Sequence, residues 1–216
     1  MPTQLPKLKE TKIDNKRFYV TPEGNKYPSI TTVTGLRDLE GIKLWRARVG
    51  EAEANKISNE STTRGTILHN MAEKHLQNEI IHEDNYAYEL MKLFKIIEPE
   101  LTKINNIYVQ EAALYSDELK IAGRVDCVAE FNNMLSIIDF KTSRKEKRKE
   151  WVTKYFLQAT AYAEMWTERT KIPINQIVII MITMDGQLQL FIEDKDNWIE
   201  LLKDEIKYFN EFKRSK

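Results

Sequence analysis

The segment Leu135-Ser136-Ile137-Ile138-Asp139-Phe140-Lys141 sets two charges at the end of an apolar run that reads as an interior strand. Burying a charge is costly unless something compensates it, so both residues ask for a reason. Side chains two apart on a strand point to the same side, so Asp139 and Lys141 could pair with each other or share a metal ion and a phosphate. The preceding strand carries Gly123-Arg124-Val125-Asp126, and a hairpin between the two could bring Asp126 beside Asp139. Converging carboxylates with a nearby lysine suit phosphodiester hydrolysis around a hard divalent cation. The carboxylates supply oxygen ligands, and the ammonium can position the attacking water or stabilise the pentavalent transition state. Taken alone, Asp-x-Lys is a weak pattern that a strand-end ion pair explains at least as well.

Other segments add weight. Gln158 and Tyr162 are i and i+4 on a helix, with Trp151 and Tyr155 continuing their stripe. The competing stripe of Phe156, Ala159, Ala163 and Trp166 is more apolar and is expected to pack. That leaves the Gln158–Tyr162 face open to a phosphate, a base or the lysine. In Arg64-Gly65-Thr66-Ile67-Leu68-His69, His69 is expected near the start of a helix with Glu73 one turn on. An imidazole there could complete a metal shell, or simply pack, and Arg64 could hold a phosphate. Lys141, Arg144, Lys145, Lys147, Arg148 and Lys149 form a cationic ridge that could follow a phosphate backbone or be a solvated, partly helical surface. Tyr155, Tyr162 and Trp45 are candidates for stacking unpaired bases.

Together these segments resemble the PD-(D/E)xK nuclease superfamily, and within it the RecB-like exonucleases of phage and mitochondrial genome maintenance type. The likeness lies in Arg64-Gly65-Thr66 with His69, Gly123-Arg124-Val125-Asp126, Asp139-Phe140-Lys141, and Gln158 with Tyr162, in that order over roughly residues 60 to 165. Pro28-Ser29-Ile30-Thr31 is similar to the Ser/Thr-containing entry segment of that family. The resemblance implies an α/β fold with a restriction-endonuclease-like core, a mixed central sheet flanked by helices and an N-terminal helical extension. It implies His69, Asp126, Asp139 and the backbone carbonyl of Phe140 as metal ligands, with Lys141 serving the nucleophilic water. Gln158 and Tyr162 would complete a Q-x-x-x-Y signature. Ser29, Thr31, Arg64, Arg144 and Tyr155 would meet substrate, and Glu111 and Glu73 would be accessory acids. The cofactor implied is Mg²⁺, with Mn²⁺ substituting. The activity implied is exonucleolytic, on single-stranded or frayed DNA ends, in replication, recombination or repair. A structure-specific endonuclease or junction resolvase on the same core stays open, as does a DNA-binding module that does not cut. Besides DNA, a helicase or a single-strand-binding protein is a candidate partner, since no G-x-x-x-x-G-K-[ST] loop is present to mark a motor. Cys127 is the only cysteine, which disfavours the iron–sulfur branch of the family as well as disulfides and thiolate zinc sites.

The elements that must position these residues follow from periodicity. A polar arm is expected over residues 1 to 15, then a hairpin of Arg17–Val20 and Tyr27–Ile30 around Pro22-Glu23-Gly24-Asn25. Leu39 to Leu76 is helix-rich, with a break expected near Ser58–Thr63 where Ser61 or Thr62 could cap a second helix. A third helix is expected over Asp84–Leu101. Strands follow at Ile107–Tyr115, Leu119–Phe131 and Leu135–Phe140 as an antiparallel meander, then a helix at Trp151–Thr170. Strands at Ile177–Met184 and Gln187–Ile192 and a closing helix at Asn197–Phe212 complete the series. This organisation reads as one nuclease domain over 1–216, with a hairpin and helical lobe at 1–105 and the core at 106–216. Thirty-three basic and thirty-three acidic residues cancel, so bulk charge does not point to a nucleic-acid partner and only local clustering can. No apolar run approaches the ~18 residues of a membrane helix, and the opening MPTQLPKLKETKIDNK lacks a signal-peptide pattern. The expected location is the cytoplasm, that of the host if the source is a phage, and no membrane partner is expected.

Overall fold

A computed structural model describes residues 5–14 and 16–215. Two sheets organise the chain. Strands β1 (Lys9–Ile13), β2 (Lys16–Val20) and β3 (Lys26–Pro28) form a small antiparallel sheet. The arm expected over residues 1 to 15 is therefore a strand from Lys9 to Ile13, paired with β2; Met1 to Gln4 and Asn15 lie outside the described residues.

The central sheet has the order β4-β5-β6-β7-β8, formed by Ile104–Ser116, Ile121–Phe131, Met134–Ser143, Gln176–Thr183 and Leu188–Asp194. All its pairings are antiparallel except β6 with β7. A parallel pair needs a crossover, and helix α5 (Thr153–Thr170), entered through a 3₁₀ turn at Lys149–Val152, supplies it. The mixed α/β sheet expected from the sequence is present.

Strand alternation assigns each face a partner. On β7, Ile177, Ile179 and Met181 turn toward α5 and the closing helix α6 (Ile199–Arg214), while Val178, Ile180 and Ile182 turn to the other side. That second face is covered by helices α3 (Glu51–Leu76) and α4 (Tyr88–Leu101) through Leu68, Met71, Leu93, Phe94 and Ile97. The result is a sheet between two helical layers. Each layer excludes water from one face, which makes charge inside the sheet expensive except at its open edges.

Helix boundaries differ from expectation in one place that matters. No break occurs at Ser58–Thr63; α3 runs unbroken from Glu51 to Leu76. The polar Ser/Thr run lowers helix propensity only weakly, whereas Gly50, at φ +86°, takes a conformation that other residues rarely adopt and separates α3 from α2 (Leu39–Val49). His69 therefore sits deep in a long helix, too far from the start of α3 for that N-terminus to add positive potential beside it. Helix α4 also starts later than expected, at Tyr88, behind a 3₁₀ turn at Glu83–Asn85. Among the described residues no helix is long and apolar enough to cross a membrane.

Candidate active site

The site begins where two strands diverge. β5 and β6 pair from Phe131↔Met134 up to Cys127↔Ile138 and then stop. The next pair in that register would be Asp126 and Asp139, so both carboxylates stand at the mouth of a fork. The lost ladder bond is replaced: the Phe140 backbone N–H donates to Asp126 Oδ2 at 2.9 Å. Beyond the fork, Ser29 bridges to Ala122 and brings the segment after β3 against β5.

On its other side β5 meets β4, and the register Gln110↔Cys127, Ala112↔Val125 sets Glu111 opposite Asp126. Glu111 has φ +47°, an uncommon conformation for a residue with a side chain. His69 reaches the same place from α3, its Nδ1 3.4 Å from Asp126 Oδ2 and its ring edge-on to Phe140. Ligand atoms of His69, Glu111 and Asp126 all lie within 4.8 Å of one another. Burial, followed by the carboxylates of Asp126 and Glu73, pushes Glu111 up to about 7. Like charges gathered this closely suit a hard divalent cation, so these residues fit the metal that the sequence implies.

Asp139 is fully buried and belongs to a second, adjoining constellation. Its Oδ1 accepts a hydrogen bond from Gln158 Nε2 at 3.1 Å, and its Oδ2 pairs with the Lys141 ammonium. The same Gln158 amide lies 3.2 Å from the Tyr162 hydroxyl. Burial raises Asp139 to about 6 against the pull of Lys141, with Asp126 adding to the rise. Burial opposes the charge of Lys141, but Asp139 and Asp126 outweigh it and hold its pKa above the usual lysine value. Lys141 also faces the Tyr155 ring, 5.3 Å from its centroid.

The other sequence candidates fall in different surroundings. The Gln158–Tyr162 face is not open: Tyr162 is 1% exposed and packed under β5, so it has no surface for stacking a base. Gln158 and Tyr162 are buried along with Phe156, Ala159, Ala163 and Trp166, because α5 lies between the β-sheet and α6, whereas Tyr155 is half-buried and Trp151, in the turn before α5, is exposed. Ser29 is likewise buried, and its hydroxyl caps helix α1 (Ile30–Thr34) by accepting from the Thr32 N–H at 3.1 Å, so it does not face substrate. Thr31 is exposed and accepts from Arg17 at 3.0 Å. Arg64, 3.6 Å from Glu60, shares with Arg144 and Thr142 a separate cleft of about 610 Å³ between α3, α4 and the end of β6. Glu73 lines the groove of His69 and Glu111, which measures about 510 Å³. Of the cationic ridge, Lys141 is on β6, Arg144 to Arg148 lie in the loop after it and Lys149 opens the 3₁₀ turn, the segment being tied back by Lys149 paired to Glu193 and the Lys147 N–H donating to Gln189.

Two residues were undervalued by sequence reasoning. Gly123 has no room for a side chain, since a Cβ there would sit 2.7 Å from Tyr162 Cε1. The signal was present, because a glycine inside a strand often marks a close approach. Arg124, quoted in the same motif without a role, lines the groove beside Glu111.

Comparisons with known proteins identify the family. A segment of 47 residues is 45% identical to the mouse (Mus musculus) mitochondrial genome maintenance exonuclease 1, covering 22% of this chain and 14% of that protein. The Xenopus tropicalis protein of the same name is 47% identical over 47 residues, again 22% of this chain and 14% of the relative. The matched segment thus spans about a seventh of these curated relatives. A solved structure from Eubacterium rectale, assigned as an exonuclease, superposes with a TM-score of 0.45 at 11% identity, covering 72% of this chain and 68% of that one. The profile of the PD-(D/E)XK nuclease superfamily matches residues 41–211, from α2 to α6 and including the fork, and the chain belongs to that superfamily.

Proposed function

We propose that the protein is a Mg²⁺-dependent exodeoxyribonuclease that shortens single-stranded or frayed DNA ends during replication, recombination or repair, as one nuclease domain. The observation that carries this reading is the fork at Asp126 and Asp139, which gathers His69, Glu111 and Asp126 on one side and Lys141 on the other. The exonuclease names of the relatives support the choice of exonuclease over endonuclease.

In this reading His69, Asp126 and Glu111 hold the divalent ion, with the Phe140 carbonyl and Asp139 adjoining, and Mn²⁺ substitutes for Mg²⁺. When bound, such an ion neutralises charge on the phosphate and acidifies water. The chain's own groups do the rest. Lys141 stays protonated, orients the attacking water and donates to the charge that develops on the phosphoryl oxygens. Asp139 fixes Lys141, and Gln158 fixes Asp139 by occupying its second oxygen. Tyr162 keeps its proton, because burial and then the two aspartates raise its pKa well above the usual value, and it seats the Gln158 amide. Tyr155, Arg144, Arg64 and Thr31 would meet the strand. A helicase or a single-strand-binding protein would supply the unpaired strand.

The test is nucleotide release from end-labelled linear and circular single strands with Mg²⁺ and with EDTA. The expected outcome is Mg²⁺-dependent digestion of the linear strand alone, abolished in Asp139→Ala and Lys141→Ala. Equal cutting of the circle removes the exonuclease reading, and undiminished activity in both variants removes the site.

A further inference from the structure

The groove at the fork is lined by His69, Asn70, Glu73 and Glu111, and among the described residues Arg124 is the only lysine or arginine in its lining. A phosphodiester entering beside Glu73, Glu111 and the adjoining Asp126 meets repulsion unless cations offset it, and Lys141 lies across the fork. Arg124 is half-exposed, at 49% of its side chain, so its guanidinium can reach an incoming ligand. Its carboxylate neighbour is Glu111, at 4.0 Å from Nη1 to Oε2, an ion pair too long for a hydrogen bond. The buried hydroxyl of Tyr19, on β2, lies near enough to feel the Arg124 charge.

One carboxylate could therefore serve two cations. Glu111 belongs to the trio that can hold a divalent ion, and it is also the partner of Arg124. Resting on the nuclease reading above, we propose that Arg124 is a phosphate-holding residue whose availability is set by Glu111. When Glu111 turns to a divalent ion, Arg124 is released to a non-bridging phosphate oxygen of the DNA strand, so that metal loading and strand binding reinforce each other. Guanidinium is suited to this, since its planar donors can engage two oxygens of one phosphate. Coupling of this kind is reciprocal: the strand, by taking Arg124, leaves Glu111 to the ion.

The experiment measures binding of a fluorescent single-stranded oligonucleotide, with Ca²⁺ and with EDTA, to wild type, Arg124→Gln, Glu111→Gln and the double variant. Oligonucleotide integrity is checked on a gel, and Ca²⁺ affinity is measured alone by calorimetry. Arg124→Gln is expected to weaken Ca²⁺-dependent strand binding about tenfold and to lower the salt slope by about 1. The same variant should bind Ca²⁺ itself as well as wild type or a few-fold tighter, because a competing cation has gone; a merely structural role would weaken both. In EDTA, Glu111→Gln is expected to bind the strand several-fold tighter, and the double variant should lose most of that gain. Unchanged strand affinity and salt slope in Arg124→Gln, or a gain fully kept in the double variant, overturns the proposal. If the wild type digests DNA while Arg124→Gln behaves like it, this inference alone fails. If the wild type neither binds nor digests DNA with any divalent ion, the nuclease reading fails and takes the inference with it.

Discussion

Glu111→Gln tests the metal trio without removing bulk. Glu111 rises from 4.5 to about 7 in the fold, first because it is buried and then because Asp126 and Glu73 repel its charge. A group whose folded pKa is raised binds more protons folded than unfolded between those values. Stability must then fall as pH climbs from about 4.5 to about 7 and stay lowered above. A rise of about 2.5 on the pH scale corresponds to at most about 3.4 kcal/mol. The side chain is 34% exposed, so solvent screening cuts this to about 1.5 kcal/mol. Replacing the carboxylate with the neutral amide should recover that energy at pH 8, a gain of about 3 to 6 °C in Tm for a chain of this length. At pH 5 the folded carboxyl is already mostly neutral, so the gap should nearly close. The assay is thermal unfolding in EDTA at both pH values, repeated with saturating Mn²⁺. With the ion present the order should reverse at pH 8, because wild type keeps a ligand that the variant has lost. A variant less stable than wild type at pH 8 in EDTA, or the same gap at both pH values, refutes the reasoning.

Gln158→Ala leaves Asp139 Oδ1 buried without its donor; it should cost about 1 to 3 kcal/mol in urea unfolding and lower kcat far more than it changes KM. A pure KM effect would show that Gln158 touches substrate instead. Gly123→Ala forces a Cβ to within 2.7 Å of Tyr162; displacing that ring should cost about 1 to 3 kcal/mol and cut activity by unseating Gln158, whereas wild-type stability would contradict the close approach. Activity should fall on the acid side as Glu111 and Asp139, raised to about 7 and about 6, take up protons. Because a bound cation opposes protonation, the midpoint should move to lower pH as Mg²⁺ is raised, and a midpoint insensitive to Mg²⁺ would detach these carboxylates from the metal.

Relations within one element were legible from spacing. Asp139 and Lys141 had to share a strand side and Gln158 and Tyr162 a helix face, because period 2 and period 3.6 are properties of the local backbone. The resemblance extended this to the ordered motifs and to the sheet class. What lay between elements was not legible. That the β5–β6 ladder ends just short of Asp126 and Asp139, and that Glu111 lands opposite Asp126 on a backbone of positive φ, depend on inter-strand register, which forms between residues far apart in the chain. Two stripes told which residues align, yet only the packing of sheet and α6 decided that Gln158 and Tyr162 are buried as well as the apolar stripe, and that Tyr162 works from beneath the site. The helix carrying His69 starts at Glu51 rather than near Ser61 for the same reason: weak local preferences at Ser58–Thr63 yield to the packing of a continuous helix on the sheet. Sequence alone thus determined which chemical groups are present and which neighbours share a face, while the tertiary fold decided which carboxylates meet, because burial and register are settled by long-range contacts.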